Sequence, residues 1–355
     1  MRQLDTLLLI TVFFLTLSGL LMVYNASSFI AFREFGDKYH YIKDQSMWIT
    51  IGFLMLMFFS FFDYHRLYNL SLPLLIAAII FLLLVFVPNI GINALGATRW
   101  VNFGFFSFQP AEFVKLSLVI YLAAWFSKKE KGRFFAFSLL VGLVFLLIML
   151  QPDMGTATIV LFEGLIVYFL SGGNMLHFIA LVPILFVGVF AFISLAPYRA
   201  ARLASFLKTN ESLENTSYHV KQILIALGMG GVFGVGLGNS LQKYAYLPEN
   251  VTDSIFAIIA EELGFIGASM LVLLFTVVVW RGFKIAVRAR DAFGRLLAGG
   301  IISFLGLQMV INLAAMVVLI PLTGIPLPFI SYGGSSLIVD LSAVGILLNI
   351  SRQRA

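Results

Sequence analysis

Unbroken apolar runs, each about as long as the hydrocarbon core of a bilayer is thick, constrain this chain more than any other feature. Crossing roughly 30 Å of hydrocarbon takes about 20 helical residues. Within that slab every backbone N–H and C=O must find a partner inside the protein, which leaves helices or closed barrels. The runs lack the alternation of barrel strands, so they read as helices. By the length rule, about ten spans are expected. They lie near Thr6–Tyr24, Ser46–Phe62, Leu70–Val87, Glu112–Phe126, Phe134–Leu150, Thr156–Leu170, Met175–Leu195, Ser254–Trp280, Leu296–Ile320 and Ser335–Ile350. The first could pass for a signal peptide, with Arg2 ahead of it and Ala26-Ser27 behind; its length and the spans that follow favour a retained helix. With 61% hydrophobic and only 11% charged residues in 355, a soluble core has no use for so much apolar surface. The expected fold is therefore all-α: a polytopic bundle of about ten transmembrane helices, one domain over residues 1–355, with a long extracytoplasmic loop at about 196–253.

The net charge of +6 does not point to nucleic acid, because the basic residues gather in alternate short loops. Lys128, Lys129, Lys131 and Arg133 form one group, Arg281, Lys284, Arg288, Arg290 and Arg295 another, and Arg352 and Arg354 lie at the tail. The positive-inside rule makes those loops, and both termini, cytoplasmic. Trp48, Trp100, Trp125 and Trp280 fall near span ends, as an interfacial aromatic belt requires. With no cysteine in the chain, disulfides, thiolate metal sites and cysteine lipidation are excluded.

Chemistry is thereby confined to loops and helix ends. In the long loop, Val220, Ile223, Leu224 and Leu227 recur at helical spacing, predicting a short helix on the membrane surface or against the bundle. Gly228, Gly230, Gly231, Gly234, Gly236 and Gly238 follow. No strand precedes them, so they are not a dinucleotide fingerprint. They offer backbone N–H groups to an anion, or close packing of a re-entrant segment, the second being favoured. Between Pro321 and Ser336, prolines and glycines end one span and begin the next, with Ser331 and Ser335 as candidate substrate contacts. Irregular backbone at that depth must be buried in protein or line a wet cavity.

An ionisable group at mid-bilayer costs about 2.5–3.5 kcal/mol on insertion scales, so each one needs an account. Glu112 and Lys115 share a helix face and can pair, or touch substrate. Glu163 has no partner in its own helix; Glu261, Glu262, Asp340, Gln308 and Asn312 read as interhelical hydrogen-bonding groups. Asp253 differs, because it sits where the polar stretch Leu247-Pro248-Glu249-Asn250 gives way to the apolar run from Ile255. There a carboxylate can meet water and headgroups while packed helices hold it, which suits an acid or base acting on a lipid-linked polar substrate. Arg99 and Lys243 are candidate phosphate grips, Arg99 through its planar donor fork. Asp253 and Glu249 could hold an oxygen-ligated Mg2+ or Mn2+, although two carboxylates do not by themselves specify a metal. The four histidines are scattered and no Gly-x-Ser-x-Gly elbow occurs, so transition-metal and serine-hydrolase chemistry are not expected.

Several segments, in order, resemble the shape, elongation, division and sporulation family, of which FtsW and RodA are familiar members. They are Ala97-Thr98-Arg99-Trp100, Phe108-Gln109-Pro110 with Glu112 and Lys115, and Gln151-Pro152-Asp153 with Gly155-Thr156. Gly236 to Gly238, Leu247-Pro248-Glu249, Thr252-Asp253, Glu261-Glu262 with Gly264, and Gly324 to Ser336 complete the set. The ending around Asn349 and the short tails look nearer the FtsW/SpoVE branch. Two departures are Asn250-Val251, where a histidine often precedes the Thr-Asp pair, and Ser254 in place of Phe. The resemblance implies a peptidoglycan glycosyltransferase of the bacterial cytoplasmic membrane. It would polymerise lipid II alongside a class B penicillin-binding protein and other divisome or elongasome membrane proteins. It assigns the essential aspartate to Asp253 and polar positions of importance to Arg99, Glu112 and Lys115. The competing readings are a lipid II flippase and a non-catalytic scaffold.

Overall fold

The computed structural model describes residues 4–94, 97–102, 104, 106–128, 132–180, 217–244 and 246–353. Ten helices and one small sheet are seen among them. The first three helices are α1 (Thr6–Phe35), α2 (His40–Phe61) and α3 (His65–Leu84). A short antiparallel sheet follows: β1 (Gly91–Ala94), β2 (Ala97–Asn102) and β3 (Ser107–Phe108), in that order. Then come α4 (Pro110–Phe126), α5 (Phe134–Leu150) and α6 (Met154–Leu170). The last four helices are α7 (Tyr218–Gly230), α8 (Ile255–Val287), α9 (Ala292–Met316) and α10 (Gly334–Arg352). Of these, α1, α2, α3, α8, α9 and α10 are long and apolar enough to cross a membrane, and α5 and α6 are shorter apolar helices. The protein is a multi-pass, mostly helical membrane protein.

The expected spans coincide with α1 to α6 and α8 to α10, give or take a turn or two at most ends. The expected span Met175–Leu195 lies outside the described residues beyond 180. The sheet at 91–108 is an addition that hydropathy does not reveal.

Helix ends follow local chemistry. Asp5, Asp153 and Asp291 cap α1, α6 and α9, each accepting from a backbone N–H three residues on, at 3.2, 3.1 and 2.8 Å. Pro110 opens α4, where its missing N–H leaves no hydrogen bond unmade.

The centre of the bundle is α10, which is almost wholly buried, whereas α2 and α8 keep broad exposed faces. Helices in lipid gain little from apolar burial against one another; close packing and polar contacts hold them together. At Gly345, α10 approaches α2 so closely that a Cβ would strike the Leu56 carbonyl. Gln45 of α2 donates to the Ser331 carbonyl (3.3 Å) and accepts from Gly333 N–H (3.4 Å), holding the loop that leads into α10. At the other end Asn349 donates to the Ser60 carbonyl (3.0 Å) and accepts from Tyr64 N–H (3.1 Å).

The glycine-rich segment packs closely, as expected, and the structure shows why. Helix α8 is broken at Gly264, whose φ of 67° is left-handed. The break frees the carbonyls of Glu261 and Glu262, which accept from Val235 and Gly236 N–H, each at 3.0 Å. Phe265 N–H in turn donates to the Gly231 carbonyl at 2.9 Å. A Cβ at Gly234 would collide with the Glu262 carbonyl. Helix α7 lies against the bundle through Val220, Ile223 and Ala226.

Candidate active site

Asp253 lies in the turn just before α8, half-buried, beside the exposed Glu249. Its position is set by three successive carbonyls, each gripped by a different donor. Tyr332 N–H donates to Val251 O (2.9 Å), the Ser331 hydroxyl to Thr252 O (2.6 Å), and the Asn312 amide to Asp253 O (2.9 Å). The same Asn312 amide donates to Ile325 O at 2.7 Å, tying the turn to the Gly324–Pro328 loop. Gly324 itself stands against the carboxyl: a Cβ there would lie 3.4 Å from Asp253 Oδ2, and its φ of 73° disfavours any side chain. Behind the turn, His219 of α7 meets the hydroxyl of buried Ser254 at 2.8 Å. An acid fixed on this many sides is preorganised.

Its electrostatics follow from its neighbours. Burial pushes the Asp253 carboxyl well above the ordinary carboxylate range. The charge and hydrogen bond of Glu249 and the charge of Asp153 add to that push, while Arg99 opposes it. A hydrogen bond between two carboxyls requires one of them to carry the proton. The Glu249 backbone is strained to a φ of 51°, a cost for a residue with a side chain and one that clusters at functional sites.

Arg99 reaches this place from the middle of β2. Its side chain donates to the carbonyls of Gln151 (3.3 Å) and Pro152, just ahead of α6. Next in line, Asp153 accepts from Thr156 Oγ1 (2.9 Å) and Gln109 Nε2 (3.3 Å). The small sheet thus carries a guanidinium to the acid, with N–H groups beyond the two bonded ones available to an anion.

The structure brings Asp253, Glu249 and Arg99 together, with Ser331 supporting the Asp253 turn, and gives the other candidates partners of their own. Lys243 is buried, donating to Asn25 Oδ1 (2.9 Å) and the Gly238 carbonyl, with Glu262 Oε1 at 3.4 Å. It locks the glycine loop to α1 and α8. Glu262 is an interhelical group, accepting from Asn25 of α1, whereas Glu261 accepts from Ser240 Oγ and Leu241 N–H of the loop before α8. Glu112 and Lys115 form a fully buried pair at 2.7 Å, and Lys115 also donates to Gln308 Oε1 at 2.8 Å. Ser331 and Ser335 turn to backbone: Ser331 accepts from Leu327 N–H (2.8 Å) and Ser335 from Gln109 N–H (3.1 Å). Asp153, Gln109 and Asn312 also border the site; sequence placed the first two in family-like motifs and Asn312 among the interhelical groups, and none as a site residue. The Asp-capped start of α6 was a readable signal for Asp153; nothing in sequence marks Asn312 apart from other span asparagines.

Known proteins share this architecture along its length. The family model described as a cell cycle protein, covering FtsW, RodA and SpoVE, matches residues 5–355. Stage V sporulation protein E of Bacillus subtilis is 42% identical over 354 residues, 98% of this chain and 97% of that protein. A probable peptidoglycan glycosyltransferase FtsW from Geobacter sp. is 38% identical, covering 98% and 96% respectively. Among solved structures, one described as showing the coordination of polymerization and crosslinking by a peptidoglycan synthase complex superposes with a TM-score of 0.79. It is 28% identical, covering 99% of this chain and 98% of that one. Rod shape determining protein RodA of Thermus thermophilus superposes at 0.72 with 29% identity over the same shares. Both in sequence along its whole length and in fold, the chain belongs to the FtsW/RodA/SpoVE family of cell cycle proteins.

Proposed function

We propose that this protein is a peptidoglycan glycosyltransferase that polymerises lipid II at the outer face of the bacterial cytoplasmic membrane, with both of its termini in the cytoplasm. The observation that carries this reading is a preorganised carboxylate with an arginine beside it, at the boundary between a polar turn and a membrane helix. A sugar hydroxyl is a poor nucleophile, and a positioned base is typically worth about 10²–10⁴-fold. Asp253 takes the proton from the 4-hydroxyl of the acceptor sugar. The freed oxygen pair attacks the anomeric carbon of the growing strand, and the bond to undecaprenyl pyrophosphate breaks with inversion. Arg99 offers its remaining N–H groups to the departing pyrophosphate. The polyprenyl chain stays among the helices.

A divalent ion fits the same place in part. Asp253 and Glu249 supply oxygen donors at a partly exposed rim, the chemistry a hard cation such as Mg2+ or Mn2+ prefers. Among the described residues no group of three acidic or histidine side chains is placed to hold a metal, so pyrophosphate and water would complete its shell. When bound, such an ion would stabilise charge on the leaving group. A crosslinking partner, expected to be a class B penicillin-binding protein, would take up the product. The similarity to a synthase complex that couples polymerization to crosslinking supports that partner.

The test is polymerisation of lipid II by purified protein in detergent, where a flippase has no sidedness to act on and a scaffold has no activity. Wild type lengthens glycan, and Asp253→Asn loses at least about 10²-fold. Polymerisation by Asp253→Asn at the wild-type rate would remove Asp253 from the chemistry.

A further inference from the structure

Inside the bundle, away from the turn that holds Asp253, lies a set of charged groups that the steps above do not use. Glu112 and Lys115 of α4, Glu163 of α6 and Asp340 of α10 are each 0 or 1% exposed. Lys115 forms an ion pair with Glu112 at 2.7 Å and donates to Gln308 Oε1 at 2.8 Å. Asp340 Oδ2 lies a long 3.4 Å from the Ser336 hydroxyl, and its Oδ1 has no hydrogen-bond partner among the described residues. Neither oxygen of Glu163 has one. Among the described residues, Lys115 and Glu112 are the charged groups that act electrostatically on Glu163 and on Asp340. Gln308 and Ser336, from α9 and α10, contribute the neutral dipoles.

Charge counting then decides the state of the cluster. Three carboxyls against one ammonium leave two negative charges uncompensated, within a part of the protein that water does not reach. An unpaired buried charge neutralises by changing its protonation rather than persisting. Glu112 already has the Lys115 ammonium against it. Glu163 and Asp340, with unpartnered oxygens, are where protons must go.

We infer that Glu112, Lys115, Glu163 and Asp340 form a membrane-embedded proton-binding site that takes up two protons, one on Glu163 and one on Asp340. This inference does not depend on the glycosyltransferase reading, since it concerns a different set of side chains and needs no substrate. The site is nevertheless linked to the active-site turn by a polar thread. Gln308 donates to the Ser336 hydroxyl at 3.4 Å; its neighbour Ser335 holds Gln109, which donates to Asp153.

The test is infrared difference spectroscopy on the full chain reconstituted in bilayers. A protonated carboxyl has a carbonyl-stretch band that an ionised carboxylate lacks. Wild type minus Glu163→Gln is expected to show loss of such a band at neutral pH, and wild type minus Asp340→Asn loss of a second. The two variants keep the shape and neutrality of the protonated acids, so their melting temperatures should stay near wild type. Should Glu163→Gln fail to fold, the Asp340→Asn spectrum still reads the second proton. Difference spectra holding only carboxylate bands, with or without sodium, would overturn the inference. A carboxylate signature that depends on sodium would assign the site to a metal cation instead.

Discussion

At the scale of single residues, Asp253 is shaped by what lies next to it more than by its own chemistry. Because its carboxyl is pushed upward and the base must be ionised to accept a proton, the acid limb of the rate profile should fall above the ordinary carboxylate range. Glu249→Gln removes a negative neighbour, so it lowers the Asp253 pKa and moves that limb to lower pH. An unmoved limb in polymerisation rates measured against pH would show that some other group sets it. Asn312 acts at one remove, holding the Asp253 carbonyl and the Ile325 carbonyl with one amide. Asn312→Ala should lower kcat by about 10²-fold, the cost of a small misplacement of a catalytic group, and leave KM nearly unchanged. Sequence reading singled out Asp253 and Arg99 because a charge at a span boundary is conspicuous. It placed Lys243 beside the same phosphate because its partner Glu262 lies 19 residues on, across a break in α8 that only the fold reveals.

Among elements, the most consequential is the interrupted helix α8 and the glycine loop that fills its gap. Each supplies what the other lacks: the break frees carbonyls of Glu261 and Glu262, and the loop brings the N–H groups of Val235 and Gly236 to them. Gly234 has a φ of 81° and no room for a Cβ, so Gly234→Ala should destabilise by more than about 1 kcal/mol. Faster hydrogen exchange at Val235 and Gly236, alongside a lower melting temperature, is the measurement that checks it. The spans were legible because bilayer thickness dictates their length. The break was not: residues 255–287 are apolar almost throughout, and hydropathy does not report backbone dihedrals. The sheet that carries Arg99 escaped for a similar reason, since strands of two to six residues in a connecting loop leave no periodic signal.

For the whole molecule, the buried ion pair of α4 is a test of how the bundle coheres. Lys115→Met leaves Glu112 without its cation in an apolar interior and should cost about 3–5 kcal/mol. Adding Glu112→Gln to it removes the stranded charge, so the double variant should recover most of that loss in denaturant unfolding in micelles. Purely additive losses would mean that the pair is not coupled. The central position of α10 bears on how such a protein is made. Translation delivers this helix after the other described spans, yet its Asn349 completes the Ser60 end of α2, and Gln45 of α2 seats the loop that introduces it. The native partners of Gln45 and of the Ser60 carbonyl therefore arrive only when α10 and the loop before it follow the earlier helices into the membrane. The bundle thus acquires its buried axis only after the helices that surround it.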